Sequence, residues 1–496
     1  MKLGDLVRAI PRATLMGPGG LEIKGITHDS REAGPGFIFV CVRGLVRDGH
    51  EFIPDARRRG AVAVVVEREV PDTGMAVVRV EDSREALALL ASAFYGHPSK
   101  RLRVIGVTGT NGKTTTTHLV RAILSEKGFQ VGLIGTIHNI VGGRVFPVER
   151  TTPEAHHLQG LFDRMLRAGT SHVVMEVSSH ALELRRVDGT EFDVGIVTNV
   201  TRDHLDFHRT FQGYLKAKGR LFAGLGGTYQ GSPKEGPKAG VINFDDPSSG
   251  FFRDLTGVRT ITYGLGEGAE VRATDVGIYS RGVLFRVQSP SGDARLNLQL
   301  TGSFNIYNAL AALGAALVEG VELEIAVRAL ESVKGIPGRF ERVDAGQDFT
   351  VIVDYAHTPD SLENVLRTAR EFTRRQLIVV FGCGGDRDRT KRPLMGEIAT
   401  RYADLAIITS DNPRSEDPEA IIREIEEGAR RSTGPGRYLL EADRARAIEA
   451  ALQGACAGDV VVIAGKGHET YQIFKDRTIP FDDREVARQV LERMTG

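Results

Sequence analysis

Gly109-Thr110-Asn111-Gly112-Lys113-Thr114-Thr115 carries the most explicit chemistry in this sequence. A glycine-bearing turn that runs into Lys-Thr suits a phosphate. Its backbone N–H groups turn inward, the helix start adds a positive end, and the lysine reaches the β- and γ-phosphates. The Thr114 hydroxyl is placed to meet Mg²⁺. The strict pattern asks for a glycine five positions before Gly112, where Val107 stands; the nearby glycines are Gly106 and Gly109. The setting is nevertheless right. Residues 102–107 are an apolar run that reads as a buried strand, and 118–124 have helical spacing. The loop implies a nucleoside triphosphate and leaves the reaction open.

Other reactive residue types gather where strands should end. Glu176 closes an apolar run and precedes Val177-Ser178-Ser179-His180. It reads as a metal-facing carboxylate or as a helix-start cap. His204, inside Thr201-Arg202-Asp203-His204-Leu205-Asp206, reads as a ligand or as an ordinary loop histidine. Mg²⁺ prefers hard oxygen donors, whereas Mn²⁺ tolerates an imidazole better. Thr151-Thr152-Pro153-Glu154 offers hydroxyls to a ligand or simply starts a helix. His28-Asp29-Ser30-Arg31 holds a phosphate or sugar, or is a polar loop. Residues 214–222, which include Lys216 and Lys218, read from local sequence as a helix with a solvated lysine face.

The last third of the chain has four such clusters. They are Asp354-Tyr355-Ala356-His357, Gly382 with Arg387 beyond it, Asp411-Asn412-Pro413-Arg414, and Gly465-Lys466-Gly467-His468-Glu469. Arginines there can grip carboxylates with two hydrogen bonds, and the acids can meet a cationic amine. Ligands of open α/β sheets bind beyond the strand C-terminal ends, where these clusters fall.

The elements that must position them alternate. Strands are expected over 21–26, 37–42, 61–66 and 75–80, with helices over 51–59 and 83–94. Further strands fall at 102–107, 131–134, 172–177, 195–200 and 239–243, then at 350–353, 376–381, 405–409 and 459–464. Residues 258–300 are strand-rich, 308–317 are helical, and 228–239 form a polar surface excursion. At 496 residues the chain exceeds one ordinary core. Its 64 basic and 64 acidic residues balance, so bulk charge gives no argument for nucleic acid. Three cysteines provide no disulfide framework, and no charge-free run is long enough to span a bilayer. A cytoplasmic setting is the expectation.

Together these motifs resemble the Mur ligase family, over essentially the whole chain. The anchors are the Gly-Thr-Asn-Gly-Lys-Thr loop, Glu176 to His180, Asn199 to His208, Asp354 to Pro359, Gly382 to Pro393, and Gly465 to Glu469. Asp411-Asn412-Pro413-Arg414 resembles the signature of the diaminopimelate-adding branch. The resemblance implies an ATP-dependent amide ligase of three α/β domains. A UDP-substrate domain would span 1–98, a central P-loop domain for ATP and Mg²⁺ 99–336, and a Rossmann-like amino-acid domain 337–496. The implied substrates are ATP, UDP-N-acetylmuramoyl-L-alanyl-D-glutamate and meso-2,6-diaminopimelate.

The resemblance also assigns residues. ATP would meet Gly109, Thr110, Asn111, Gly112, Lys113, Thr114, Thr115, Asn305, Arg339, Asp354 and His357. The UDP-muramoyl peptide would meet Ser30, Thr151, Thr152, Ser178 and Arg186. Diaminopimelate would meet Arg387, Asp411, Asn412, Pro413, Arg414, Gly465 and Glu469. Thr114, Glu176, His204 and Lys218, the last as a carbamate, would surround the metal. Lys113, Lys218 and His204 are the implied catalytic residues. Either His204 or a carboxylate could take the proton of the attacking amine.

Overall fold

The apolar run before the glycine loop folds as the strand Arg103–Thr108, buried throughout after Arg103. The computed structural model describes residues 1–44, 47–226 and 232–495. Within the expected polar excursion, residues 228–231 lie outside the described residues. The chain divides into two units, Met1–Ala269 with Ala311–Glu322, and Glu270–Leu310 with Leu323–Gly496.

The first unit opens with a five-stranded sheet in the order Thr14–Met16, Ala76–Arg79, Ala63–Val66, Phe37–Val40, Gly25–Thr27. Only the Thr14–Met16 edge pairs antiparallel. Short Val- and Phe-rich strands buried on both faces fit this parallel arrangement. Helix Ser83–Phe94 packs Ala86, Leu87 and Leu90 into one core, and Asp82 caps it by accepting from the N–H groups of Arg84 and Glu85.

The phosphate-loop sheet of the same unit has six parallel strands. Their order is Arg259–Gly264, Ala239–Asn243, Val194–Val197, Arg103–Thr108, His172–Glu176, Val131–Ile134. The chain continues into the antiparallel strands Asn139–Val141 and Arg144–Phe146. Arg103–Thr108 comes first in the chain yet lies in the middle, flanked by His172–Glu176 and Val194–Val197. Connections leave it in opposite directions, which opens the crevice where such sheets bind ligands.

The second unit contains an antiparallel meander, Val271–Tyr279, Gly282–Ser289 and Gly292–Leu298. Its main sheet runs Glu341–Val343, Thr350–Asp354, Val460–Ala464, Leu377–Phe381, Leu405–Ile408, Arg437–Leu440, with only the first pair antiparallel. Apolar cores lie on both faces. Thr358 caps Pro359–Phe372 through a reciprocal box with Ser361, and Asp417 caps Pro418–Arg431.

Several expected bounds move. The strand expected at 21–26 is Gly25–Thr27, and the helix expected at 51–59 divides into a 3₁₀ turn, Gly49–Phe52, and the helix Ile53–Arg58. Pro54 lacks an N–H and fits only the first helical turn, so the α-helix must begin beside it. Among the described residues, no helix is long and apolar enough to cross a membrane.

Candidate active site

In the first unit, Gly112 takes a left-handed conformation and Lys113–Glu126 begins directly after it. Gly109 has φ 142°, and a Cβ there would lie 1.8 Å from Thr198 Oγ1. The loop can therefore fold only around glycine at this position. It is tied to the next strand end. Asn111 N donates to Asn199 Oδ1 at 3.0 Å, and Thr198 Oγ1 donates to Asn111 O at 2.6 Å. Thr110 Oγ1 lies 3.0 Å from Tyr214 Oη. Lys113 Nζ donates to Gly109 O and Thr110 O at 3.0 and 2.8 Å, so its ammonium sits over the loop. Thr115 is buried in the first helical turn.

Glu176, 1% exposed, joins the loop to the adjoining strands. Its Oε2 accepts from Thr114 Oγ1 at 3.1 Å and Thr136 Oγ1 at 3.0 Å, while Oε1 accepts from Thr136 N at 2.8 Å. Thr136 Oγ1 in turn lies 3.0 Å from Thr151 Oγ1. Thr152 Oγ1 donates to Glu176 O at 2.9 Å and accepts from Ser178 N at 3.1 Å. Ser178 caps Ser179–Glu183. Arg186 donates to Thr152 O at 3.2 Å and pairs with Glu154 at 2.9 Å. Thr114, Glu176, Thr151, Thr152, Ser178 and Arg186, scattered in sequence, thus form one bonded series. Ser30 is buried in the turn Ser30–Glu32 of the first sheet; its neighbour His28 feels the Glu154 charge of this series. The Thr114 hydroxyl and Glu176 carboxylate are hard oxygen donors that fit Mg²⁺.

Lys218 departs from the solvated face expected of it. It is 1% exposed, its Nζ donates to Gly109 O at 2.7 Å, and it lies 4.4 Å from the Tyr214 ring centroid. Burial, and then the nearby Lys113 charge, push its pKa well below the ordinary lysine value. The exposed lysine of this helix is Lys216. His204 takes a left-handed φ of 53° ahead of Leu205–His208. Its ring lies 4.7 Å from that of His180, which is 5.5 Å from His208. Burial lowers His180 to about 4, with its two histidine neighbours adding to the shift.

The second unit brings together the clusters at the ends of Thr350–Asp354, Leu377–Phe381, Leu405–Ile408 and Val460–Ala464. Asn412 Nδ2 donates to Glu469 Oε2 at 2.9 Å. Lys466, fully buried, donates to Asn412 Oδ1 and Glu469 Oε2 at 3.2 and 3.1 Å and lies 3.9 Å from Asp411 Oδ1. Gly465 has φ 118°, and a Cβ there would lie 2.8 Å from Asp411 Oδ2. Arg414, at φ 51°, donates Nη1–H to Gly385 O at 2.8 Å. The Pro413 carbonyl accepts from Glu416 N. Arg387 is exposed and donates to the carbonyl of Asp386, outside this bonded group.

Asp354 accepts from Phe340 N and Ala356 N at 2.7 and 2.8 Å, and burial raises its pKa. Arg339 stacks 4.8 Å from the Tyr355 ring, and His357 Nδ1–H donates to Tyr355 O at 2.8 Å. Asn305 is held by Thr301 O and Asn308, at 2.8 and 2.9 Å.

Residues not singled out from sequence complete both groups. Thr136 supplies two of the three hydrogen bonds to the Glu176 carboxylate described above. Lys466 was visible only as part of Gly465-Lys466-Gly467. Arg392 and Arg444, both fully buried, brace the loops: Arg392 pairs with Glu416 and Glu424, and Arg444 grips Asp483 with two 2.7 Å bonds while donating to Ser410 O and Ala464 O. Their sequence surroundings resemble exposed helix faces.

A phosphate loop at the switch point of one parallel sheet, with charged clusters at the strand ends of another, defines a phosphate-loop α/β enzyme. Three family models match in chain order: Mur ligase family, catalytic domain, over 22–95; Mur ligase middle domain over 107–316; and Mur ligase, glutamate ligase domain, over 338–467. The chain belongs to the Mur ligase family and has its three-domain α/β architecture. It is 50% identical over 492 residues to a UDP-N-acetylmuramoyl-L-alanyl-D-glutamate–2,6-diaminopimelate ligase of Geobacillus thermodenitrificans, covering 99% of each chain. The ligase of the same description from Geobacillus kaustophilus is 49% identical over 492 residues, again with 99% of each chain covered. A solved structure of a ligase with this description matches with a TM-score of 0.70 and 33% identity, covering 100% of both chains.

Proposed function

We propose that the chain joins meso-2,6-diaminopimelate to the D-glutamyl γ-carboxylate of UDP-N-acetylmuramoyl-L-alanyl-D-glutamate, converting ATP to ADP and phosphate during peptidoglycan precursor synthesis. The observation that carries this reading is the charge arrangement in the second unit. Asp411 and Glu469 are two carboxylates served by one ammonium, Lys466, which leaves one negative charge. Arg414 follows three residues after Asp411, and the charges of Arg414, Asp411 and Glu469 all reach Tyr471. A residual negative charge next to an arginine complements a ligand that ends in both an amine and a carboxylate. Identity of 50% and 49% to ligases of this description, over nearly the full length, supports the same reading. The domain limits 1–98, 99–336 and 337–496, and a cytoplasmic setting where ATP and nucleotide sugars occur, belong to the proposal.

A free carboxylate resists amine attack because oxide is a poor leaving group. The γ-carboxylate oxygen therefore attacks the ATP γ-phosphorus, the bond to the ADP oxygen breaks, and an acyl phosphate forms. The amine nitrogen then attacks the acyl carbon and loses a proton. The tetrahedral adduct expels phosphate and leaves the amide. The protein positions groups and stabilises charge. Lys113 and the loop N–H groups hold phosphate oxygens. Thr114 and Glu176 would hold Mg²⁺, which supplies charge neutralisation on the transferring phosphoryl group. Thr151, Thr152, Ser178, Arg186 and Ser30 would orient the muramoyl substrate. Burial makes Lys218 give up its proton more readily than an ordinary lysine, which leaves the neutral amine that can add CO₂, and its carbamate would place an anion beside Gly109.

Phosphate release measured with ATP, the UDP-muramoyl dipeptide and a panel of diaminopimelate, lysine and D-alanyl-D-alanine tests the reading. Release that requires diaminopimelate is expected. Preference for lysine or the dipeptide would overturn the substrate, and ATP binding without release under any combination would overturn the ligase reading.

A further inference from the structure

A separate group of side chains meets elsewhere in the first unit. Glu32 ends the turn Ser30–Glu32, and His156 and His157 lie in the first turn of Ala155–Arg167. Nε2 of each histidine lies 3.6 Å from Glu32 Oε2. One ligand atom from each of the three residues falls within 4.8 Å of the others. The two imidazole rings are 4.0 Å apart, and the His28 ring lies 5.1 Å from that of His156.

His156 is 5% exposed, yet neither ring nitrogen has a hydrogen-bond partner among the described residues. The buried Nδ1 of His28 is in the same condition. A buried polar nitrogen left unsatisfied costs about 1–3 kcal/mol, and a bound ion would satisfy the His156 nitrogen that faces Glu32. Burial, then the neighbouring His157 and His28, keep the His156 imidazole neutral, with a lone pair to offer.

The two 3.6 Å spacings to Glu32 also fit. Two donors bound to Zn²⁺ at about 2.0–2.2 Å in a tetrahedron are about 3.4 Å apart. Thr27 Oγ1 donates to Glu32 Oε2 at 3.0 Å, the kind of outer bond that orients a ligating carboxylate. Glu32 and His157 are half-exposed, which gives an ion a path in. Two imidazoles and one carboxylate suit Zn²⁺ or a similar transition metal rather than Mg²⁺.

We propose that Glu32, His156 and His157 bind a divalent transition metal of the Zn²⁺ class, clasping the turn of the first sheet to helix Ala155–Arg167. The clasp is distinct from the oxygen donors at Thr114 and Glu176 and holds whatever the ligase substrate is.

The test uses the full chain, stripped with chelator and kept in saturating Mg²⁺. Zn²⁺ and Co²⁺ are titrated separately, with calorimetry, visible absorption and thermal melting as readouts. Wild type is expected to bind one equivalent, to give a tetrahedral Co²⁺ spectrum, and to melt at a higher temperature with Zn²⁺. His157→Ala leaves buried His156 in place and should lose at least tenfold in affinity together with the thermal shift; Glu32→Gln should follow it. His208→Ala is the control, because His180, His204 and His208 form a second histidine cluster in this unit. It should keep both signals. No binding by wild type, binding unchanged in His157→Ala, or a loss confined to His208→Ala would each overturn the site.

Discussion

Arg414→Ala is the substitution that probes substrate choice most directly. Arg414 is anchored at backbone and guanidinium: its backbone N–H donates to Ile473 O at 3.0 Å and Nη1–H to Gly385 O at 2.8 Å. The fork so fixed can meet a carboxylate with two bonds. Alanine at φ 51° bears the same left-handed cost as arginine, roughly 1–2 kcal/mol, so the change measured belongs to the side chain. Two hydrogen bonds to charged groups are each worth about 1.5–3 kcal/mol. Arg414 is partly exposed, and solvent screening takes the total to the low end, about 3 kcal/mol. At about 1.4 kcal/mol per tenfold, kcat/KM for diaminopimelate should fall roughly 100-fold. Lysine lacks the distal carboxylate and should lose little, so the ratio of the two substrates falls by nearly the same factor. ATP affinity should stay within about twofold. Steady-state phosphate release with each amino acid, and nucleotide binding measured separately, give these numbers. A change under about fivefold for diaminopimelate, or equal losses for diaminopimelate, lysine and ATP, would refute the reasoning. Arg414→Lys should recover only part of the loss, since an ammonium cannot make the two-pronged contact.

Lys218→Met tests the buried amine. Between the lowered native pKa and the unfolded lysine value near about 10.4, the unfolded chain holds a proton that the native chain releases. Wild-type stability therefore rises with pH across that window, and the melting advantage of Lys218→Met should shrink as pH rises toward the unfolded value in bicarbonate-free buffer; a constant difference would count against a lowered pKa. Lys466→Met strips Asp411 and Glu469 of their ammonium and should cost about 3–5 kcal/mol, seen as a lower melting temperature. Adding Glu469→Gln should restore part of it, whereas simple additivity would deny the coupling. Thr136→Val keeps the shape but removes the hydroxyl bond to Glu176, and Mg²⁺-dependent nucleotide binding should weaken roughly tenfold; unchanged affinity would remove Thr136 from the site.

The sheets were legible because their central strands are apolar runs that end in glycine or polar clusters, as at 102–107 and 459–464. The Thr14–Met16 and Arg437–Leu440 edges were not, since such short, half-exposed segments owe their pairing to a neighbour. Lys218 shows how a local signal can be read too quickly. Tyr214, Lys218, Leu221 and Phe222 share one face at helical spacing, so the apolar stripe includes this lysine, whereas Lys216 points away. Thr136 offered no such cue. It follows Ile134-Gly135 in an ordinary strand end, and only the pairing of Val131–Ile134 with His172–Glu176 brings it to Glu176. Arg392 and Arg444 sit in helices rich in charge, and their burial depends on acids 24 and 39 residues away.

The threonines around Glu176 also have a direction. A carboxylate only accepts, so the single hydroxyl hydrogens of Thr114 and Thr136 are both committed inward to it. Thr136, with its hydrogen spent, must receive one from Thr151 across their 3.0 Å contact. Thr114 and Thr151 then each turn oxygen lone pairs, not hydrogen, toward whatever approaches. At Thr114 that surface welcomes a cation. At Thr151 it welcomes an N–H or O–H and turns away a bare carboxylate. One buried acid thus fixes the hydrogen-bond polarity of two positions that lie 37 residues apart in the sequence.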